Sequence, residues 1–130
     1  MNNIQKIKSF TDEKGNLLPI EFGQLDFVPK RVFVVNDVPV GCVRGNHAHY
    51  KTKQYLICTK GEVNVIMDYG TVKETYHLLQ NESIMIPELV WDSQEFLTKD
   101  SEIIVLCSTK YDIDDYILDY GIFLKTIKDE

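Results

Sequence analysis

The most informative part of the sequence is residues 41–61, GCVRGNHAHYKTKQYLICTKG. Two histidines, His47 and His49, stand one residue apart in it. Alternate side chains of a β-strand point to the same face, so a strand through this segment aims both imidazole rings in one direction. Imidazole is the side chain whose ordinary pKa lies near neutral pH, which suits a pair of them to moving protons. The segment therefore predicts a strand that carries an acid–base pair on one face.

Short apolar runs of strand length lie within this segment and on both sides of it. They are rich in β-branched and aromatic residues, and Gly, Pro or Asn residues separate them. The predicted strands are 31–36 (RVFVVN), 54–59 (QYLICT), 62–68 (EVNVIMD), 75–79 (TYHLL), 83–87 (SIMIP) and 102–108 (EIIVLCS). No amphipathic stretch of helical length intervenes, so we expect an all-β antiparallel sandwich or barrel. Within EVNVIMD, the alternation places Val63, Val65 and Met67 on one face, as in a half-buried strand.

The two ends of the chain differ from this strand pattern. Residues 15–23, GNLLPIEFG, favour an edge strand, because Pro19 is tolerated only at an edge or a bulge. Residues 111–130 open with acids and continue with apolar side chains at helical intervals, which predicts a short C-terminal helix broken near Gly121. The apolar positions are Tyr116, Ile117, Tyr120 and Phe123, and the acids, expected to form a solvated capping face, are Asp112, Asp114, Asp115 and Asp119.

Length, charge and cysteine usage limit the classes of function. A chain of 130 residues has the usual size of one domain, so we expect a single unit over residues 1–130. A net charge of −6 opposes binding to nucleic acid or to an anionic membrane, and only Arg31 and Arg44 carry the guanidinium that suits phosphate. The chain has no secretory signal pattern and no membrane-spanning run, and its three cysteines form no disulfide or metal pattern. These features predict a cytoplasmic protein and still allow a small anionic ligand.

The spacing within residues 41–61 resembles the first motif of the cupin family, in which a glycine, two histidines, a glutamate and a second glycine recur at fixed intervals. The matching positions are Gly41, His47, His49 and Gly61, whereas Gln54 stands where the family has glutamate. The resemblance implies a small antiparallel jelly-roll barrel over a single cupin domain, with the histidine pair inside it.

A second segment, residues 81–96, is similar to the second cupin motif. Pro87 falls in place, but Asp92 stands where the family has histidine. Metal-binding cupins use three histidines and one glutamate, and a glutamine carbonyl is a poor ligand for the metals that imidazole sites prefer. We therefore expect no metal and no cofactor. The alternative that stays open is a metal-dependent cupin oxygenase with an iron triad of His47, His49 and Asp92.

Five segments spread over nearly the whole chain carry a closer resemblance. They are 15–23 (GNLLPIEFG), 30–38 (KRVFVVNDV), 44–56 (RGNHAHYKTKQYL), 87–91 (Pro-x-x-x-Trp) and 111–125 (YDIDDYILDYGIFLK). Together they are similar to the sugar-nucleotide 3,4-ketoisomerases of the WxcM-like cupin group. The resemblance implies a homodimeric enzyme that moves the ketone of dTDP-4-keto-6-deoxy-D-glucose from C4 to C3, in the biosynthesis of 3-amino-3,6-dideoxy sugars. It implies His47 as the base at C3 and His49 as the partner on the C4 side, with the order between them open.

The substrate of such an enzyme carries a diphosphate and a thymine base. Arg44 precedes His47 by three positions across Gly45, so a bend at the glycine would aim the guanidinium into the same mouth to grip phosphate. Arg31 is the second candidate for this role. Further candidates for substrate binding are Gln54, Tyr55 and Trp91, each with a structural role inside the fold as the competing interpretation.

Two other functions remain open from the sequence. One is a 3,5-epimerase, which also enolises a 4-keto sugar, although the chain lacks the extra segments usual in that enzyme. The other is a non-catalytic cupin that binds a sugar nucleotide as a sensor.

Overall fold

The structure is a computed structural model, and it describes residues 3–129. Antiparallel strands dominate it, and one helix lies at the C-terminus, so the predicted all-β class with a short C-terminal helix is confirmed. The strands are β1 (Gln5–Lys6), β2 (Phe10–Asp12), β3 (Gly15–Leu17), β4 (Arg31–Val35), β5 (Val43–His49), β6 (Gln54–Lys60), β7 (Val63–Asp68), β8 (Lys73–Leu78), β9 (Glu82–Ile86), β10 (Trp91–Phe96), β11 (Glu102–Cys107) and β12 (Tyr116–Ile117), and the helix is α1 (Tyr120–Lys128).

Two five-stranded sheets form the body of the fold. One has the strand order β1-β9-β6-β11-β4 and the other the order β12-β5-β10-β7-β8, while β2 and β3 form a separate hairpin. From β4 to β12, consecutive strands alternate between the two sheets except for β7 and β8, which pair in one sheet, and this agrees with the jelly-roll expectation. The main apolar core contains buried side chains from both sheets, so it lies between them.

The burial of the central strands follows the sequence pattern. Val63, Val65 and Met67 on β7 are buried, with exposures of at most 1%, whereas the residues between them are only partly buried. This confirms the alternation predicted for that strand. Most of β6 is buried on both faces, because its inner face meets the core and its outer face is covered by the N-terminal segment, which contributes Ile7 and Leu18.

Two predictions for the chain ends are wrong. Only Gly15–Leu17 of the expected edge strand forms one, and it pairs with β2 in the hairpin. At the other end, Tyr116 and Ile117 form β12 on the edge of a sheet instead of the start of a helix. Helix α1 begins afterwards, because the Asp119 side chain accepts a hydrogen bond from the Ile122 amide and caps it. Gly121 lies in the first turn of this helix and does not interrupt it.

Strand β10 is a central strand that the sequence pattern missed. Its sequence, WDSQEF, contains four polar residues, so it lacks the apolar alternation by which the other strands were found. Asp92, Ser93 and Gln94 are nevertheless buried, because β10 lies in the middle of its sheet between β5 and β7. Among the described residues, no helix has the length and hydropathy needed to cross a bilayer.

Candidate active site

The two histidines of β5 lie on its inner face, at one end of the two-sheet structure. Their ring centroids are 5.1 Å apart, with the rings nearly perpendicular. Tyr116 of β12, which pairs with His49 across the sheet, places its ring 5.2 Å from the His47 ring and 4.4 Å from the His49 ring. Ala48, between the two histidines, points the other way into the apolar cluster beneath α1. The predicted pair of imidazoles on one face is therefore present.

A β-bulge brings Arg44 to the same face as His47. Residues three apart on a regular strand point to opposite faces. In the pairing of β5 with β10, His47 lies opposite Asp92 and Gly45 opposite Ser93, so Asn46 is an extra residue. Gly45 and Asn46 adopt φ angles of 92° and 59°, which only such a distortion of the strand produces. The bulge restores the shared face, and Arg44 and His47 line the same cavity.

This cavity has a volume of about 90 Å³ and lies between the sheets. Apolar side chains of β4, β6 and β11 form its floor. Its polar lining consists of Arg44, His47, Gln54, Gln94 and Tyr116. Arg44 is exposed, so its charge faces solvent at the entrance, whereas Gln54 and Gln94 are buried. The cavity thus combines an apolar floor and polar walls with one cation at its edge.

Arg31 enters this cluster from β4. Its guanidinium lies between the rings of Phe33 and Tyr111, 4.9 and 5.0 Å from their centroids, and it donates a hydrogen bond of 3.3 Å to the Tyr116 hydroxyl. Arg31 and Gln54 lie in the same row across the sheet, because Cys107 of β11 pairs with Arg31 on one side and with Gln54 on the other. Both arginines of the chain therefore lie around the histidine pair.

His49 has a carboxylate partner that sequence reasoning assigned to solvent. Asp115 Oδ2 lies 3.4 Å from His49 Nδ1. The same carboxylate accepts hydrogen bonds from the amides of Lys51 and Thr52, at 2.9 and 3.1 Å, and from the Thr52 hydroxyl. The expectation of a wholly solvated acidic run is thus wrong for Asp115, because the turn before β12 carries it back to β5. It holds for Asp112 and Asp119, which cap the helical turns that follow them.

Burial keeps both imidazoles uncharged at neutral pH. It lowers the pKa of His47 to about 4, with a further lowering by the nearby His49 and an opposing hydrogen bond to the Gly45 backbone. Burial also lowers the pKa of His49, and Asp115 opposes this without reversing it. A neutral imidazole has a free lone pair, so each ring can accept a proton.

Asp92 faces His47 from the neighbouring strand. Its side chain is 1% exposed, its Oδ1 lies 4.0 Å from His47 Nε2, and Gln94 donates a hydrogen bond to its Oδ2. Burial raises the pKa of this carboxyl to about 7. Within residues 3–129, no three His, Cys, Asp or Glu side chains are grouped closely enough to hold a metal ion. The alternative iron triad of His47, His49 and Asp92 therefore has no geometric support.

The remaining candidates do not reach the cluster. Tyr55 points to the outer face of β6, where its hydroxyl shares a 2.6 Å hydrogen bond with Ser83. Trp91 packs on the outer face of β10 beneath α1, with its ring 5.7 Å from that of Phe123. Both have the packing role that was the competing interpretation of their sequence positions. His77 on β8 is exposed and pairs with Glu62 at 2.7 Å.

Sequence reasoning missed Asp115, Tyr116 and Gln94 in this site. Asp115 and Tyr116 stand about 66 residues from the histidines, and only the pairing of β12 with β5 brings them together. A signal for Gln94 existed in its even spacing from Asp92, which places both on one face of a strand.

Comparison with known proteins gives a consistent result. The family described as FdtA: WxcM-like, C-terminal matches residues 1–128. A TDP-4-oxo-6-deoxy-alpha-D-glucose-3,4-oxoisomerase of Aneurinibacillus thermoaerophilus is 33% identical over 128 residues, which cover 97% of this chain and 92% of that protein.

Two solved structures of QdtA, a sugar 3,4-ketoisomerase from Thermoanaerobacterium thermosaccharolyticum, superpose closely. The complex with TDP has a TM-score of 0.89 at 31% identity and covers 98% of this chain and 96% of that chain. A histidine-to-asparagine mutant in complex with TDP-4-keto-6-deoxyglucose has a TM-score of 0.89 at 30% identity, and covers 100% and 97% of the two chains.

Proposed function

The chain belongs to the FdtA, WxcM-like C-terminal family, and from that premise we propose that it is a sugar-nucleotide 3,4-ketoisomerase. Its substrate is dTDP-4-keto-6-deoxy-D-glucose, whose ketone it moves from C4 to C3. The observation that carries this function is the pair of imidazoles at 5.1 Å, of which His47 lines a cavity with Arg44 and Tyr116, while Arg31 donates a hydrogen bond to the Tyr116 hydroxyl. Relatives at 30 to 33% identity over nearly the whole chain have the same activity in their names.

The reaction needs only proton transfers. The C4 carbonyl acidifies the proton on C3; a base removes it, and the electron pair of the C3–H bond forms a C3–C4 double bond while the carbonyl oxygen takes up charge. A proton then adds to C4, and the C3 hydroxyl loses its proton as the new carbonyl forms. Substrate and product have the same atoms and the same number of electrons, so no oxidant is required. Positioned acids and bases typically contribute about 10² to 10⁴ in rate to such a step.

We assign His47 as the base at C3 and His49 as the group that handles the proton on the C4 side. His47 suits the first role because it lines the cavity and is neutral at pH 7. His49 is more deeply buried, and the Asp115 carboxylate 3.4 Å from its Nδ1 favours its protonated form. Tyr116 contacts both rings and limits their rotation.

The two arginines are proposed to bind the substrate together with Gln54. Arg44 faces solvent at the entrance, where it can meet the diphosphate with two parallel hydrogen bonds. Arg31, held between two aromatic rings, presents its charge on the opposite side of the histidine pair. Gln54 lines the cavity wall, where its Nε2 donates a 3.6 Å hydrogen bond to Cys107 Sγ, and its amide is proposed to contact the sugar as well.

The test is identification of the product by NMR after incubation with dTDP-4-keto-6-deoxy-D-glucose. A ketone resonance at C3 with unchanged C5 configuration supports the isomerase, and inversion at C5 identifies an epimerase. A parallel sample treated with a chelator should retain full activity, whereas loss of activity identifies a metal-dependent enzyme. Binding of the substrate without any turnover by folded protein would identify a sensor and overturn the proposal.

We further propose that the chain acts as a homodimer of one catalytic domain over residues 1–130. The support is the edge strand β4, whose outer face exposes Val32 and Val34 by 59% and 53% beside the half-exposed Phe22. Apolar side chains of this size on an open edge favour association. Light scattering during size exclusion tests the dimer, and a mass of 15.1 kDa would contradict it.

The cellular setting is also a proposal. Three free cysteines, two of them buried, are consistent with the reducing cytoplasm. The 3-keto product is the carbonyl that an amino-group transfer would need to give a 3-amino-3,6-dideoxy sugar for glycan or lipopolysaccharide biosynthesis.

A further inference from the structure

Three buried polar atoms at the histidine pair form no hydrogen bond: the two ring nitrogens of His49 and one carboxylate oxygen of Asp92. Asp92 is buried in the middle of its sheet, and Gln94 occupies its Oδ2, but its Oδ1 forms no hydrogen bond. An unpaired carboxylate oxygen in a protein interior is costly, so its retention calls for an explanation. The nearest ionisable atom is Nε2 of His47, at 4.0 Å.

We propose that Asp92 is a positioning residue of the isomerisation, whose carboxylate stabilises the His47 imidazolium that forms when His47 takes the substrate proton. This inference rests on the proposed function, because it requires His47 to be the base. His47 gains a positive charge at a position where its side chain is only 19% exposed, and a negative charge at about 4 Å offsets the cost of burying that charge. No covalent bond to Asp92 is made or broken.

The strand geometry fixes this pair. Asp92 and His47 are direct partners in the register between β10 and β5, and the bulge that follows leaves this pairing intact. The hydrogen bond from Gln94 holds the carboxyl group against rotation, so that Oδ1 stays directed at the ring. The arrangement differs from that of His49, whose partner Asp115 accepts three hydrogen bonds and lies in a turn.

Among the described residues that pair with Asp92 across the sheet or bond its side chain, His47 is the ionisable one. Its partner on β7 is Met67, which carries no charge. Gln94 on its own strand is neutral. On the cavity side, Arg44 and Tyr116 lie around His47, and Arg44 is at the exposed entrance. The charge state of Asp92 therefore acts mainly on His47.

A consequence for pH dependence follows from these contacts. Because burial raises the pKa of Asp92 to about 7, the carboxylate is present above pH 7 and is lost as the pH falls through that value. The pKa of His47 is lowered to about 4, so its own protonation does not limit activity between pH 5 and 8. We expect kcat/KM of the native enzyme to rise through about pH 7.

The experiment compares the native enzyme with Asp92→Asn and Asp92→Glu, with Asp68→Asn as the matched control. Asp68 is also a buried carboxylate, but it bonds the Tyr120 hydroxyl outside the site. At pH 8, Asp92→Asn should lose about 10- to 100-fold in kcat, with a smaller change in KM, and should lose the rise near pH 7. Asp92→Glu should retain that rise, and Asp68→Asn should retain both the rise and the native kcat.

Thermal unfolding separates this role from a structural one. The native protein has to keep a charge buried at high pH, since the raised pKa of Asp92 means that stability falls as the pH rises through about 7. Asp92→Asn should therefore melt at a higher temperature than the native protein at pH 8, and this difference should shrink as the pH falls towards 3.8, the ordinary pKa of an aspartate. If Asp92→Asn has a lower kcat and also melts at a lower temperature than the native protein at pH 8, Asp92 has a structural role and the proposal is overturned.

The outcomes distinguish a failure of the proposed function from a failure of the role proposed for Asp92. If the native enzyme does not turn over the substrate, the proposed function fails. If the native enzyme is active and folded Asp92→Asn keeps its kcat and its pH profile, the function stands and the role of Asp92 is refuted.

Discussion

The two faces of the strands that carry the site differ in chemistry. The inner faces of β5, β6 and β10 present His47, Gln54 and Asp92, while the outer faces present Ala48, Tyr55 and Trp91. Neighbours in sequence are thus separated by the thickness of a sheet.

The face of the strand on which a side chain lies, more than its residue type, therefore decides which side chains meet. Tyr55 and Trp91 have the chemistry to stack on a nucleotide base, yet both support the outer face. On a regular strand Arg44 would also lie on the outer face, and the extra residue Asn46 places it on the inner face. Inner-face substitutions should therefore alter turnover, and outer-face substitutions should alter stability.

The largest effect is expected at His47, the proposed base. His47→Asn should lower kcat by about 10² to 10⁴, because asparagine cannot accept the C3 proton. Affinity for TDP, measured by calorimetry, should change little, since the arginines remain. The control is His77→Asn, an exposed histidine on β8, which should keep native kinetics. A folded His47→Asn enzyme with most of its activity would contradict the assignment.

A smaller loss is expected when the partner of His49 is neutralised. Asp115→Asn should reduce kcat by about 10- to 100-fold, because the His49 ring loses its charged neighbour at 3.4 Å. Its immediate neighbour Asp114 is exposed and belongs to the solvated part of the acidic run, so Asp114→Asn is the matched control and should have native kinetics. Equal losses in both variants would mean that the turn, and not the carboxylate, matters.

The next effect concerns binding rather than chemistry. Arg44→Ala should raise KM for the sugar nucleotide about tenfold, with less change in kcat, because a charge-assisted contact to phosphate is lost at an exposed position. The native KM should also rise with salt concentration, and that dependence should weaken in the variant. Lys99→Ala, at an exposed lysine in the turn after β10, is the control for a general loss of charge. An unchanged KM in Arg44→Ala would remove it from the binding site.

The smallest effect is expected on the outer face. Tyr55→Phe deletes the hydroxyl that pairs with Ser83 and should lower stability by about 1 kcal/mol, a shift of a few degrees in Tm. Its kcat and KM should equal those of the native enzyme. A tenfold rise in KM would place Tyr55 against the substrate after all and break the distinction between the faces.

Local patterns predicted the fold well and the site only in part. The alternation in β7 and the paired histidines of β5 were visible because a strand repeats every two residues. Strand β10 could not be recognised from apolar alternation, since its buried positions Asp92 and Gln94 are polar and lie at the site rather than in the apolar core. Asp115 was misplaced because its role depends on the non-local pairing of β12 with β5.

The central claim is that a neutral imidazole on the inner face moves a proton of the sugar ring. It is tested most directly by incubating dTDP-4-keto-6-deoxy-D-glucose in deuterated water with the native enzyme, with His47→Asn and with no enzyme, and following the ring protons by NMR. Solvent deuterium on the ring and a ketone at C3 are expected in the sample with native enzyme and in neither of the other two. Neither exchange nor isomerisation by folded native protein, or equal exchange by His47→Asn, would contradict it.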